Sequence, residues 1–202
     1  MPEEHPALRY FLRRYPGRER WLGSQLFRAG EAARRRAVRR ALPGLDGLDV
    51  LDVGCGDGVF LSSVVEGRPR LLRLEDLVVA CVQAAQRRMR GRAERVESGV
   101  VDSARTVDER TFDVVMAIGV ADYQRDWVRF IGRLLRRTRG RLIIDVPRTD
   151  DLRNQVRRLW LWGYGIRLQT ATRRALGAGL GPLAPSPVVQ VTRHSWVLCL
   201  DR

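Results

Sequence analysis

The stretch Val50-Leu-Asp-Val-Gly-Cys-Gly-Asp-Gly58 constrains the fold more than any other part of the chain. A short apolar run, Leu48 to Val53, ends in glycines at alternate positions, Gly54, Gly56 and Gly58. Such a run closed by a Gly-rich turn reads as a buried strand, and the helical face of Val59 to Val65 follows at once. Alternate glycines remove side chains where backbone must turn sharply and touch a ligand closely. A turn that merely joins a strand to a helix needs no such series.

The same alternation continues downstream. Leu71 to Leu74 is a second apolar run, followed by Glu75 and Asp76. Val78 to Met89 then places Val82, Ala85 and Met89 on one helical face and Arg87 and Arg88 on the other. A less apolar strand lies near Val96 to Val101, a clear one at Phe112 to Ile118, an amphipathic helix at Asp126 to Arg137, and a fifth strand at Arg141 to Val146 before Pro147. Val188 to Val191 and Trp196 to Leu200 flank Thr192 to Ser195 as an antiparallel hairpin. At the amino end, Leu8, Phe11, Leu12 and Tyr15, then Trp21, Leu22, Leu26 and Phe27, predict one or two helices over residues 6–41, closed by Pro43-Gly44. Strands alternating with helices predict an α/β fold with a mostly parallel sheet covered on both faces and right-handed crossovers. The expected organisation is a helical cap over residues 1–44 and a cofactor domain over 45–202, folding as one unit.

All 37 basic residues are arginine, and with 23 acids the formal charge is +14. A basic chain can be an electrostatic footprint for nucleic acid. Here the arginines run from Arg9 to Arg202 without forming a basic tail, which favours a compositional bias on solvated helix faces. Cys55, Cys81 and Cys199 are odd in number and widely spaced, with neither a disulfide framework nor a metal spacing. The opening MPEEHPALRY has no apolar core of a secretory signal. No uninterrupted apolar run reaches the roughly 18 residues of a membrane span, so the expected protein is soluble and cytoplasmic.

The loop chemistry narrows the ligand. Its spacing is G-x-G-x-G, not the G-x-G-x-x-G dinucleotide fingerprint, and a P-loop needs a lysine that this chain lacks. Asp52 and Asp57 flank the loop; two carboxylates oppose a pyrophosphate and suit a ligand carrying an ammonium and a sulfonium, as S-adenosyl-L-methionine does. In folds of this kind an acid roughly 20 residues beyond the loop binds the ribose hydroxyls. Glu75, at the end of the apolar alternation, is the preferred residue, with Asp76 its competitor; one of the two can instead cap the helix that begins near Val78.

With these residues in view, the chain resembles the class I S-adenosylmethionine-dependent methyltransferases. Val50 to Gly58 looks like their first motif, Leu74-Glu75 their second and Val101-Asp102-Ser103-Ala104 their third. Phe112-Asp-Val-Val-Met-Ala117 resembles their fourth strand and Gly140-Arg-Leu-Ile-Ile-Asp145 their fifth, so the likeness covers residues 46–147 in order. It departs where Arg73 replaces the usual glycine before the second acid. The resemblance implies a Rossmann-like three-layer sandwich, a seven-stranded sheet in the order 3-2-1-4-5-7-6 with an antiparallel last strand, and amino-terminal cap helices. It also implies cofactor contacts from Asp52, Gly54, Cys55, Gly56, Asp57, Gly58, Glu75, Asp76, Asp102, Ser103 and Ile118, with the acid Asp102 meeting the adenine amino group.

The acceptor side is less determined. In-line alignment supplies much of the rate of methyl transfer, and a hydroxyl or protonated amine also needs a base. Tyr123, after the fourth strand, and His194, in the terminal hairpin turn, are the catalytic candidates. Two segments are candidates for substrate binding: the amino-terminal helices through Tyr10, Tyr15 and Trp21, and Leu159 to Ile166 through Trp160, Trp162 and Tyr164. Tyr10-Phe11 with Arg20-Trp21 faintly resembles the cap of methyltransferases acting on magnesium-porphyrin carboxylates, without identifying a substrate. Aromatic rings beside glycines suit an aromatic or lipophilic small molecule. The alternative for Leu159 to Ile166 is an interface or membrane-surface helix, since Arg153, Arg157, Arg158 and Arg167 surround it. The rival acceptor is RNA, which would use the arginines on phosphates. Against it, no Asn-Pro-Pro-Tyr or Asp-Pro-Pro-Tyr follows the fourth strand and no Pro-Cys or Thr-Cys nucleophile is present. A non-catalytic cofactor-binding protein is the third class; an intact loop and its downstream acid argue against it.

Overall fold

The computed structural model describes residues 23–102, 109–183 and 187–202. Within them the order is α1 (Gly23–Ala41), β1 (Asp49–Val53), α2 (Val59–Val64), β2 (Leu71–Asp76), α3 (Val79–Met89), β3 (Arg95–Val100), β4 (Phe112–Ala117), a 3-10 turn (Ala121–Tyr123), α4 (Trp127–Arg136), β5 (Thr138–Pro147), α5 (Leu152–Trp162), α6 (Arg173–Leu180), β6 (Val188–Val191) and β7 (Ser195–Asp201). The seven strands form one sheet in the order β3-β2-β1-β4-β5-β7-β6. β1 to β5 pair in parallel, and β7 runs antiparallel to both β5 and β6. This is the Rossmann-like architecture implied by the first motif.

The apolar runs are continuous because the sheet is covered on both sides. One face packs Leu51, Val53, Val115 and Ile144 against Phe130, Ile131 and Leu134 of α4 and Leu176 and Leu180 of α6. The other packs Val50, Leu72, Leu74, Met116 and Ile143 against Leu61 of α2, Ala85 and Met89 of α3 and Val38 of α1. The last turns of α1 therefore share the sheet's own core. Each fully buried side chain of the Leu or Phe class contributes about 1.5–3 kcal/mol.

Two departures from the sequence reading have local causes. β5 begins at Thr138 rather than Arg141, because the register shifts between Phe112 and Val114 and Gly140 lets the strands close. A Cβ on Gly140 would stand 2.8 Å from the Asp113 carbonyl oxygen. α6 was not legible, since Gly177 and Gly179 interrupt its pattern. Thr172 caps it by accepting from the Ala175 amide, and a Cβ on Gly179 would meet Val128 and Trp127 of α4 at 2.8 and 3.0 Å. No helix among the described residues is long and apolar enough to cross a membrane. Tyr10, Tyr15, Trp21 and Ser103 lie outside the described residues.

Candidate functional site

The carboxyl ends of β1, β2 and β4 converge on the glycine loop. Gly54, Gly56 and Gly58 have φ of 71°, 53° and 75°, the left-handed region open to glycine. The Gly54 and Cys55 amides donate to the Glu75 carbonyl at 2.7 and 3.0 Å, which ties the loop to the end of β2. Gly54 also has no room for a side chain: a Cβ there would stand 2.2 Å from Val120 Cγ2. Asp57 Oδ1 accepts from the Val59 amide at 3.2 Å and so helps start α2. Cys55 is buried, and burial with the nearby carboxyls of Asp52 and Asp76 pushes its thiol up, so it is a packing group rather than a nucleophile.

Three acids stand at this end, and strand alternation separates them. Asp52 pairs in register with Leu74, and Asp76 follows Leu74 by two residues, so both share one face of the sheet. Glu75 points to the other face. There it is fully buried and held by Arg137, whose Nη1 and Nη2 donate to its carboxylate at 2.8 and 3.0 Å. This corrects the preference for Glu75: its carboxylate is a buried ion-pair member, and the acid facing the loop is Asp76. Asp76 Oδ2 accepts from the Gly56 amide and Oδ1 from the Val78 amide, both at 2.9 Å. One carboxylate thus braces the loop and opens α3, so capping and loop contact belong to the same residue. Burial raises the Asp76 carboxyl against those donors, and it raises Asp52, with Asp76 repelling, to about 8. The Val101 amide donates to the Asp76 carbonyl at 3.0 Å, bringing Asp102 to the same edge.

The β4 end carries the acceptor-side candidates. Half-buried Ile118 packs against the face of the sheet that carries Val50 and Leu74. Gly119, φ 75°, donates its amide to Asp145 Oδ1 at 2.6 Å, and Arg34 of α1 reaches Asp145 Oδ2 at 3.3 Å. Asp122 is buried, and its carboxyl is raised by desolvation against the lowering pull of Arg157. Arg157 of α5 lies 2.8 Å from Asp122 Oδ2, donates to the Tyr123 hydroxyl at 2.6 Å and stacks 5.4 Å from the Tyr123 ring centre. Tyr123 also packs on Leu161, Ile166 and Leu168. His194 sits elsewhere on this edge: its Nδ1 is 3.1 Å from Asp151 Oδ2, the residue that caps α5. His194 is wedged beside Gly30, where a Cβ would meet the ring at 2.3 Å.

With this geometry in hand, the comparisons are specific. Residues 24–178 match the methyltransferase-domain family. The chain belongs to that family. This methyltransferase has the class I fold, and the cofactor of the class is S-adenosylmethionine. No curated protein matches the chain in sequence. Among solved structures, magnesium protoporphyrin IX methyltransferase from Synechocystis PCC 6803, with S-adenosylhomocysteine bound, is 19% identical with a TM-score of 0.71, over 98% of this chain and 95% of that one. The N-methyltransferase NodS of Bradyrhizobium japonicum, also holding S-adenosylhomocysteine, is 14% identical with a TM-score of 0.60, over 85% and 86%. An O-methyltransferase family 2 protein of Planctomyces limnophilus in complex with apigenin is 16% identical with a TM-score of 0.61, over 88% and 61%. At these identities the likeness is one of fold.

The methyltransferase fits a cationic cofactor at the loop. Packing holds Gly54 and Gly58 side-chain free, since a Cβ would meet Val120 or Ala85, and Asp52 and Asp76 are buried carboxyls whose charged form a nearby cation would favour. Sequence reasoning missed three residues of this edge. Asp145 carried a signal, an acid closing an apolar run as Asp52 and Asp76 do. Arg34 and Arg157 carried none, because each is one arginine among many. Trp160, Trp162 and Tyr164 are all exposed, and the inward face of α5 is Asn154, Arg157 and Leu161. A cavity of about 260 Å³ beside Leu42, Leu45, Asp46 and Glu66 lies before β1, at the end of the sheet opposite the loop.

Proposed function

We propose that this methyltransferase moves the methyl group of S-adenosylmethionine to an oxygen or nitrogen of a small aromatic or lipophilic molecule. The observation that carries the reading is the convergence of Asp52 and Asp76, two buried carboxyls with raised pKa, on a glycine loop in the left-handed conformation. S-adenosylmethionine supplies a methyl on a sulfonium, already a good leaving group. In this reading Asp76 accepts from the ribose hydroxyls, Asp52 faces the ammonium, Asp102 meets the adenine amine, and Ile118 packs beside the ring. The backbone of Gly54 to Gly58 gives the close approach.

On the acceptor side, Tyr123 stands where β4 ends, its hydroxyl oriented by Arg157. It walls or hydrogen-bonds the acceptor. His194 is paired through Nδ1 with Asp151 at the start of α5, away from the Tyr123–Arg157 contact. A small acceptor is consistent with the neighbours that are named for magnesium protoporphyrin IX or hold apigenin, both ring-bearing molecules. Two measurements test the reading. Calorimetry with S-adenosylhomocysteine should show binding by the folded wild type, and no heat would remove the cofactor assignment. Labelled methyl from S-adenosylmethionine should appear in a small-molecule extract; label found only in RNA or protein would remove the acceptor class.

A further inference from the structure

α5 is amphipathic in the inverted sense. Its inward face is polar: Asn154 Nδ2 donates to the Arg148 and His194 carbonyls at 2.9 and 2.7 Å, and Arg157 is taken up by Asp122 and Tyr123, leaving Leu161 as the one buried apolar side chain. Its outward face is apolar. Leu152, Val156, Leu159 and Trp162 are 79, 59, 69 and 70% exposed, at steps of four, three and three residues along one side of the helix. Single exposed apolar residues are ordinary, but a contiguous stripe marks an interaction surface.

The charge around the stripe selects the partner. Residues 152–200 hold seven arginines and not one acid. Arg158 lies beside the stripe, and Arg167, Arg173, Arg174 and Arg193 are exposed in the segments that follow. An apolar stripe edged by arginine matches the interfacial boundary of an anionic bilayer, where side chains such as Leu and Trp enter the acyl region and guanidinium groups meet headgroup phosphates. A second copy of the chain would bring two such cationic faces together. A free polyanion would leave the four apolar side chains in water. Nor does the helix cross the bilayer, since 11 residues span only about 16 Å of a core near 30 Å thick.

We propose that α5 seats this methyltransferase on an anionic lipid surface, with Leu152, Val156, Leu159 and Trp162 entering the interface and Arg158, with exposed arginines of the segments that follow, meeting the headgroups. The test is flotation of the full chain with phosphatidylcholine vesicles and with mixed phosphatidylcholine–phosphatidylglycerol vesicles. Binding is expected to the mixed vesicles and not to the neutral ones. Leu159→Glu, and separately Leu152→Glu, should lower partitioning about tenfold or more. Arg40→Ala, a matched loss of one positive charge on exposed α1, should stay within about twofold. Circular dichroism and S-adenosylhomocysteine binding check that each variant is folded. The proposal is overturned by failure to float with anionic vesicles. It is equally overturned by binding that survives both Leu152→Glu and Leu159→Glu, since surface charge alone then holds the chain. A dimer in light scattering that Leu159→Glu disperses would assign the stripe to a second copy instead.

Discussion

Asp52 and Asp76 share a face of the sheet, and their protonation sets how the loop meets a cation. Asp52 titrates near 8 rather than near 3.8 because it is buried and Asp76 repels its charge. The folded protein therefore keeps a proton that the unfolded chain has released between about pH 4 and 8. A raised carboxyl makes the contribution to stability fall as pH rises through that window, and Asp52→Asn should flatten the slope in urea titrations. Cofactor binding should show the opposite trend. An ammonium beside Asp52 favours the carboxylate, so S-adenosylhomocysteine affinity should rise from pH 6 to 8, approaching about tenfold per unit, and level off above. A flat profile in wild type would remove Asp52 from the ammonium. The neighbouring pair Glu75 and Asp76 separates structure from binding. Asp76→Asn should weaken S-adenosylhomocysteine by about tenfold or more, the scale of a hydrogen bond to a charged group, and cost about 1–3 kcal/mol of stability, because one acceptor oxygen remains for the Gly56 and Val78 amides. Glu75→Gln, which strands Arg137, should cost about 3 kcal/mol of stability. If calorimetry instead showed the larger binding loss in Glu75→Gln, the assignment would revert to Glu75. Gly54→Ala adds two strains, a left-handed φ costing about 1–2 kcal/mol and a Cβ 2.2 Å from Val120 Cγ2. Val120→Ala in the same chain should restore only the second part, which thermal unfolding of the three variants can read.

At the scale of elements, Arg157 is the charged tie of α5, beside the Asn154 hydrogen bonds and buried Leu161. Arg157 joins it to Asp122 and Tyr123, and Asp122 is a buried carboxyl with its charge balanced from α5. Arg157→Met should cost about 3 kcal/mol at neutral pH by leaving that carboxylate uncompensated. Because burial already raises Asp122, and loss of Arg157 raises it further, acidification lets it protonate and the deficit should shrink as pH falls from neutrality. Adding Asp122→Asn to Arg157→Met should recover part of it, and denaturant titration measures each step. This contact also shows where sequence was readable. Strands β1, β2, β4, β5 and β7 stood out because both faces are buried and their side chains run apolar without interruption. β3 is weaker because it lies at the sheet edge with half-exposed residues. Which of Glu75 and Asp76 faces the loop was not readable, since successive strand residues point to opposite faces and a one-residue shift exchanges their roles. The substrate-binding reading of Leu159 to Ile166 came from its aromatic residues, and which face of α5 packs was not legible, since the packing face is the polar one.

At the scale of the molecule, the order β3-β2-β1-β4-β5-β7-β6 is the one the family resemblance implied, and the ligand end of such a sheet lies where strand order reverses beside β1. What no motif records is how the charge is carried. Several acids are spent in local pairs: Asp49 with Arg70 and Arg139, Glu97 with Arg73, Arg95 and Arg110, Asp201 with Arg141. After those pairings the chain still holds a net +14, and residues 152–200 hold seven arginines without a single acid. Two opposing salt effects follow. Screening weakens the exposed pairs, each worth about 1 kcal/mol or less, and it relieves repulsion among the excess arginines, which favours the compact state. The screening length falls from about 30 Å at 0.01 M salt to about 10 Å at 0.1 M. Ion partners stand within 4 Å of one another and feel little of that change, whereas arginines spread over the whole surface feel most of it. Repulsion therefore dominates, and the melting temperature should rise across this range at pH 7. The same scan on a variant with Arg173 and Arg174 changed to Gln should give a smaller rise, because two exposed charges of the acid-free segment are gone. A melting temperature that falls with salt would mean that the surface pairs, and not the excess charge, set the electrostatic contribution to stability.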